Sequence, residues 1–375
     1  MKTLIKIIIL FIISVFAIHF MYSNNIIDVK NLLKAFESHK KLILLVAFIQ
    51  ILNCLFMTFR YFSLLKIFKI KVDFQNVVAA TFVSNGIGQW LPGSMAFIEV
   101  LRIGLMLGAD KDYNFKANQI EKSEVKENLE ELAIRSKLAA VSIMDRLIGL
   151  LVMLIFGLIM TALIYLKTEQ GSIASSNLIA FFIVTFLFFI FLLALPLFSG
   201  RQFFRKLFTR IERIVLSYLR NSFLNKLIRK LFVETNSLLD ALALGSRKIS
   251  YFWKPVFFSI ICLLLASSGM FFSGMAISGR VPFEAILATM SILSIASILP
   301  IGLAGMGGMQ IIAAIVFSLF EISSQNAVSA QLLQTAVNLL AISLMGILFA
   351  RLSAKQIRAI VLSKKSENFL TNKNM

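Results

Sequence analysis

The chain has 375 residues, 58% of them hydrophobic, a mean hydropathy of +0.86 and a formal charge of +19. Soluble domains are roughly 45–50% apolar, so this composition excludes an ordinary water-soluble globule and predicts a polytopic helical membrane protein. No Gly-Lys dipeptide occurs, which excludes a Walker A loop and an ATP motor in this chain, and two cysteines with two scattered histidines have neither disulfide nor metal-ligand spacing.

The first apolar run, Leu4–Met21, is too long for a signal-peptide core and no small-residue cleavage site follows it, so it reads as a retained span. Loop 22–41 carries four lysines and is assigned to the outer face, where it fits less well than the other loops. Leu42–Phe59 is the second run, and the basic segment 60–73 after it is expected to be cytoplasmic. The charged stretch 110–137 is also expected inside, before the run Leu138–Leu166. Between these two cytoplasmic segments lies 74–109, which must enter and leave by one face. Its Pro92-Gly93 break fits a re-entrant hairpin, a course tolerated only where protein or a wet cavity surrounds the freed backbone.

Loop 167–177 is nearly uncharged and fits the outer face, and Leu178–Phe198 crosses back. Segment 199–254 holds twelve Lys/Arg against three acids. Within it, 201–232 places Phe203, Phe204, Leu207, Phe208 and Ile211 at helical spacing with arginines between them, which predicts a basic amphipathic helix in the inner interface, or a packed linker helix. Val256–Ile277 then runs outward and Ala327–Ala350 inward to a basic tail. Segment 284–320 must begin and end outside, and its centre again holds Leu-Pro and glycines. The expected architecture is therefore all-α: a single integral membrane domain over 1–375. Its first half, 42–166, contains the hairpin 74–109. A basic linker at 199–254 leads to a second half, 255–350, containing the hairpin 284–320. Two broken hairpins entering from opposite faces are the layout of an inverted repeat with a substrate site near the midplane.

Three stretches, "LPGSMAFIEVLR" (91–102), "VSIMDRLIGLL" (141–151) and "LPIGLAGMGGMQ" (299–310), resemble the transmembrane flippase-like family of lysylphosphatidylglycerol synthetases. Pro92 and Gly93 match that family's first break, Glu99 and Arg102 its acid and arginine, and Asp145 and Arg146 its acid-Arg pair. Pro300, Gly305 and Gly307 match its second turn. Met309 and Gln310 stand where the family usually has Arg-Glu, so charge is missing from the second hairpin. The resemblance implies translocation of a lipid or lipid-linked headgroup between leaflets. After Ala350 only a short tail follows, with no aminoacyl-transfer domain in this chain.

Glu99 and Arg102 are three apart and share a helix face. Charges at membrane depth cost several kcal/mol by insertion scales (about 2.5–3.5 at the centre) and usually face protein or water. They read as a headgroup site, with Arg102 on a lipid phosphate, or as an ion pair locking the hairpin. Asp145 can face the hairpin and pair with Arg102, while Arg146 can snorkel to the interface. The candidate substrate-binding set is Pro92, Gly93, Glu99, Arg102, Asp145, Arg146, Pro300, Gly305, Gly307 and Gln310. No catalytic residue, metal or cofactor is expected, and the chain is read as not an enzyme. Its expected partners are membrane lipids, with anionic headgroups at the cytoplasmic face and no nucleic acid. A homo-oligomer or an envelope-synthesis partner stays open. The expected location is the cytoplasmic membrane with both termini inside. The competing functions are an intramembrane glycosyl or phosphoryl transferase, which would need paired acids or a His near an outer loop, and a non-transporting subunit of a cell-envelope synthase.

Overall fold

A computed structural model describes residues 29–91, 94–117, 124–167, 251–279, 281–296, 308–318 and 322–373, with a few isolated positions elsewhere. Every regular element among them is an α-helix. In chain order these are α1 (Val29–Ser38), α2 (Lys40–Ile67), α3 (Phe74–Gly88), α4 (Ser94–Ala117), α5 (Glu124–Lys167), α6 (Trp253–Ser278), α7 (Phe283–Ala296), α8 (Gly308–Ser318) and α9 (Ser324–Lys373). The predicted runs Leu4–Met21 and Leu178–Phe198, the loop 167–177 and the basic helix 201–232 lie wholly or largely outside the described residues. So do Pro92, Gly93, Pro300, Gly305 and Gly307.

Among the described residues, four segments are long and apolar enough to cross a membrane: Lys40–Ile67, Ala133–Gly157 within α5, Trp253–Ser278 and Ser324–Ala350 within α9. They fall on four of the runs predicted from hydropathy. Leu340, Leu344, Ile347 and Leu348 leave one face of α9 exposed and apolar, as a lipid-facing surface requires.

Two boundaries differ from the sequence reading. α2 does not end at Phe59 but continues two turns to Ile67. No Gly or Pro interrupts 60–67, and its cations have partners: Arg60 is buried in an ion pair and Lys66 lies 4.3 Å from the Phe62 ring centre. The charged stretch 110–137 is largely helical, shared between the end of α4 and the start of α5.

α2 ends in a Schellman turn. The Lys69 N–H donates to Lys66 O and the Ile70 N–H to Leu65 O, with Lys69 at φ 57. Ile70 and Leu65 are both buried in one apolar cluster, and that contact holds a non-glycine residue in a left-handed conformation. α6 ends at Gly279, φ 75, where glycine carries no such penalty.

One core joins Tyr61 and Leu64 of α2, Val77 and Val83 of α3, Met106 of α4 and Leu138 and Val141 of α5. A second joins Met270 of α6, Ile286 of α7, Phe317 of α8 and Ala330 of α9. The element order is the same in both: a span, two further helices, a span. α2 packs along α6, α3 packs along α9, and α7 packs along α5, so each half inserts its first short helix against the other half's last span. The α3–α9 contact is close because Gly86 and Gly346 meet. A Cβ on Gly86 would lie 3.1 Å from Ile342 O, and one on Gly346 would lie 3.0 Å from Phe82 O.

Candidate functional site

α2 presents Gln50, Asn53, Met57 and Arg60 at intervals of three, four and three residues, which is one helix face. This face meets α5 and α6. Arg60 Nε donates to Asp145 Oδ1 at 2.6 Å and its Nη2 to Asp145 Oδ2 at 3.0 Å, a bidentate pair. Its Nη1 reaches Ser259 Oγ of α6 at 3.3 Å. Gly149, one turn along α5 from Asp145, leaves room for that guanidinium: a Cβ there would stand 3.0 Å from Arg60 Nη1.

Asp145 also receives Arg102 Nη2 of α4 at 3.4 Å. The same nitrogen donates to Glu99 Oε2 at 2.5 Å, one turn back on α4. Glu99 Oε1 in turn accepts from Arg146 Nε at 2.7 Å. The result is an alternating chain, Arg60–Asp145–Arg102–Glu99–Arg146, built from three helices. The Arg102 guanidinium lies over the Tyr61 ring, 3.8 Å from its centre, and the Tyr61 hydroxyl is 3.4 Å from Ser142 Oγ.

Arg102 and Asp145 are wholly buried and Arg60 nearly so. Moving such ions out of water costs several kcal/mol each, and only well-formed pairing offsets it. Here each carboxylate is shared by two arginines. Three cations face two anions, so the cluster carries one excess positive charge. Arg102 Nε and Nη1 are buried with no hydrogen-bond partner among the described residues.

The cluster opens on a cavity of about 110 Å³ walled by Asn53, Arg60, Asp145, Arg146, Gly149 and Cys262, among others. Arg146 is the most accessible of its ions, with 23% of the side chain exposed.

The structure thus gathers four of the sequence-predicted residues, Glu99, Arg102, Asp145 and Arg146, into one network. Glu99 and Arg102 pair across one helical turn, and Asp145 does face Arg102. Arg146 points at Glu99 although it follows Asp145 directly. Gln310 is buried on α8. Pro92, Gly93, Pro300, Gly305 and Gly307 lie outside those residues. Arg60, Tyr61, Ser142, Ser259 and Asn53 were missed. Arg60 closes an apolar run and begins a basic segment, so it reads as a loop cation. The available signal was the polar spacing 50, 53, 60 within one continuous helix.

A chain whose described elements are all helical, with four candidate membrane spans and an ion network buried among its helices, is a multi-pass membrane protein. Residues 4–346 match the family described as Lysylphosphatidylglycerol synthase TM region, and the chain belongs to it. It is therefore a membrane protein of a lipid-related, flippase-like family. No curated protein matches the chain.

Proposed function

We propose that this protein moves an anionic lipid between the leaflets of the cytoplasmic membrane, as a translocase and not as an enzyme. The lipid would be an anionic phospholipid, an aminoacylated phospholipid or a polyprenyl-phosphate-linked lipid. The observation that carries this reading is the excess positive charge of the buried cluster where it borders a cavity. A phosphate entering beside Arg60 and Arg146 neutralises that excess, with charge-assisted hydrogen bonds to guanidinium groups. Glu99 and Asp145 are each committed to two arginines, which suits carboxylates that position cations better than carboxylates that transfer protons.

Alternating access would come from the two broken hairpins, α3–α4 and α7–α8. Helices α3, α7 and α8 have 15, 14 and 11 residues. At 1.5 Å per residue they rise about 22, 21 and 16 Å, short of the roughly 30 Å hydrocarbon core. On this reading α3, which ends in a turn at Gln89–Leu91, stops short of the far face. Packing of α3 on α9 and of α7 on α5 supports an exchange of hairpins between inverted halves. Both termini would be cytoplasmic.

The test is transfer of fluorescent anionic lipids by purified protein in liposomes. Arg146→Gln and Arg102→Lys, checked for folding, should each lose about tenfold or more, since neither an amide nor a point charge replaces a planar charged fork. Native rates in both variants would overturn the reading.

A further inference from the structure

A second group of buried polar side chains adjoins the charged cavity and has no role in the ion network. Asn53 and Ala266 belong to the cavity wall. Gln334 of α9 donates from Nε2 to Ala266 O at 3.0 Å. Gln50 lies one turn from Asn53 on the same face of α2. Both glutamine amides converge on Gly269 of α6: a Cβ there would stand 2.5 Å from Gln50 Nε2 and 3.3 Å from Gln334 Nε2. Glycine at 269 is what lets two amides from different helices share this space.

These groups keep unspent hydrogen-bonding capacity. Gln50 Nε2, Asn53 Oδ1 and Gln334 Oε1 are all buried with no hydrogen-bond partner among the described residues. Gln50 and Gln334 are at least nine-tenths buried. Buried polar atoms are normally satisfied, and leaving several unmade in one place costs free energy that a ligand can recover. The set offers an amide donor and two amide acceptors. Hydroxyl groups both donate and accept, so a polyol or sugar complements this mixture. An ammonium does not: the nearby cluster is already positive, and Glu99 and Asp145 are each held by two arginines.

We propose that Gln50, Asn53 and Gln334, the two glutamines meeting at Gly269, form a hydroxyl-binding subsite next to the charged cavity, so that the lipid carries a neutral polyol or sugar beyond its phosphate. This rests on the anionic-lipid reading of the cavity. Arg60 and Asn53 are seven residues apart on α2, about 10 Å along the axis, so phosphate and ring would occupy successive levels along that helix. The headgroup's phosphate sits at Arg60 and Arg146, and its hydroxyls sit at the amides.

The experiment is displacement of a fluorescent phosphatidic acid from the detergent-purified full chain. Phosphatidylinositol should compete about tenfold better than phosphatidic acid, as two or three added neutral hydrogen bonds imply, and phosphatidylethanolamine should compete worse than either. Gln50→Leu with Gln334→Leu should abolish the phosphatidylinositol advantage while leaving phosphatidic acid unchanged. If that double variant fails to fold, Asn53→Leu should halve the advantage or more. Arg146→Gln should weaken both lipids equally and keep their ratio. No preference for phosphatidylinositol in the wild-type chain, or a preference that survives loss of the amides, overturns the subsite. Unchanged binding of both lipids in Arg146→Gln overturns the anion reading while the subsite stands. Water-soluble inositol phosphate should compete at least tenfold less well than the lipid; equal competition would make the ligand a free solute and overturn the lipid assignment.

Discussion

Arg60 and Asp145 form a bidentate ion pair, at 2.6 and 3.0 Å, between residues 85 positions apart that are both buried inside spanning helices. The pair ties α2 to α5, and through Ser259 it reaches α6. It also sets the charge of the cavity wall.

Asp145→Asn should therefore be severely destabilising. It leaves Arg60 with an uncompensated charge, while Arg102 keeps Glu99, and breaking a buried pair by losing one partner costs about 3–5 kcal/mol. Arg60→Gln combined with Asp145→Asn should recover most of that stability, because a neutral amide pair strands no charge. Thermal unfolding in detergent measures both. Additive losses in the double variant would mean the two residues are not coupled as the geometry indicates.

The spans were legible because a hydrocarbon core demands long apolar helices, and Val256–Ile277 sits inside the observed Trp253–Ser278. The Glu99–Arg102 pair was legible because helical spacing places them on one face. Arg60 was not. Its partner lies in another helix, and no local pattern encodes a contact across 85 residues. The basic segment after it resembles a cytoplasmic loop until the helix is seen to continue to Ile67. Gln50 and Gln334 escaped for a related reason: a single amide in an apolar run has a meaning only once the facing helix is known.

Helix contacts through glycine make a second, independent prediction. Gly86→Ala places a Cβ 3.1 Å from Ile342 O and 3.3 Å from two backbone Cα atoms of α9, none of which can rotate away. A loss of about 1–3 kcal/mol is expected, as for other overpacked sites. Gly104→Ala on α4 meets nothing within 4 Å and should gain about 0.5–1 kcal/mol from reduced backbone freedom. Equal effects at the two positions would refute the close α3–α9 contact.

Orientation can be checked with introduced cysteines, since the native Cys54 and Cys262 are buried and should stay silent. Cysteines replacing Ala109, Ser222 and Lys373 should label only from the cytoplasm, and one replacing Ser172 only from outside. Outside labelling at position 109 would give 74–109 an odd number of crossings and end the inverted-repeat proposal.

The break between α3 and α4 should matter more than any one residue in it. The chain leading into it is anchored to α9: Trp90 Nε1 donates to Ser343 Oγ at 2.8 Å, that hydroxyl donates to Gly86 O at 3.1 Å, and Asn338 Nδ2 reaches Gln89 Oε1 at 3.3 Å. Gly88 lies so close to Ile98 that a Cβ would stand 3.0 Å from the Ile98 nitrogen, so the chain turns sharply here. Pro92→Ala alone should be tolerated, because Gly93 still disfavours a helix by about 1 kcal/mol. Pro92→Ala with Gly93→Leu removes both breakers and favours one continuous helix from Phe74 onward. That helix would pull Trp90 and Gln89 off α9 and carry Glu99 and Arg102 away from Asp145. The double variant should lose nearly all lipid transfer in liposomes, where each single variant keeps a substantial part. Trp90→Phe, which removes one hydrogen bond and keeps the ring, should fall between them. Full transfer by the double variant, with expression and folding confirmed, would show that the α3–α4 break is not the moving part of this protein.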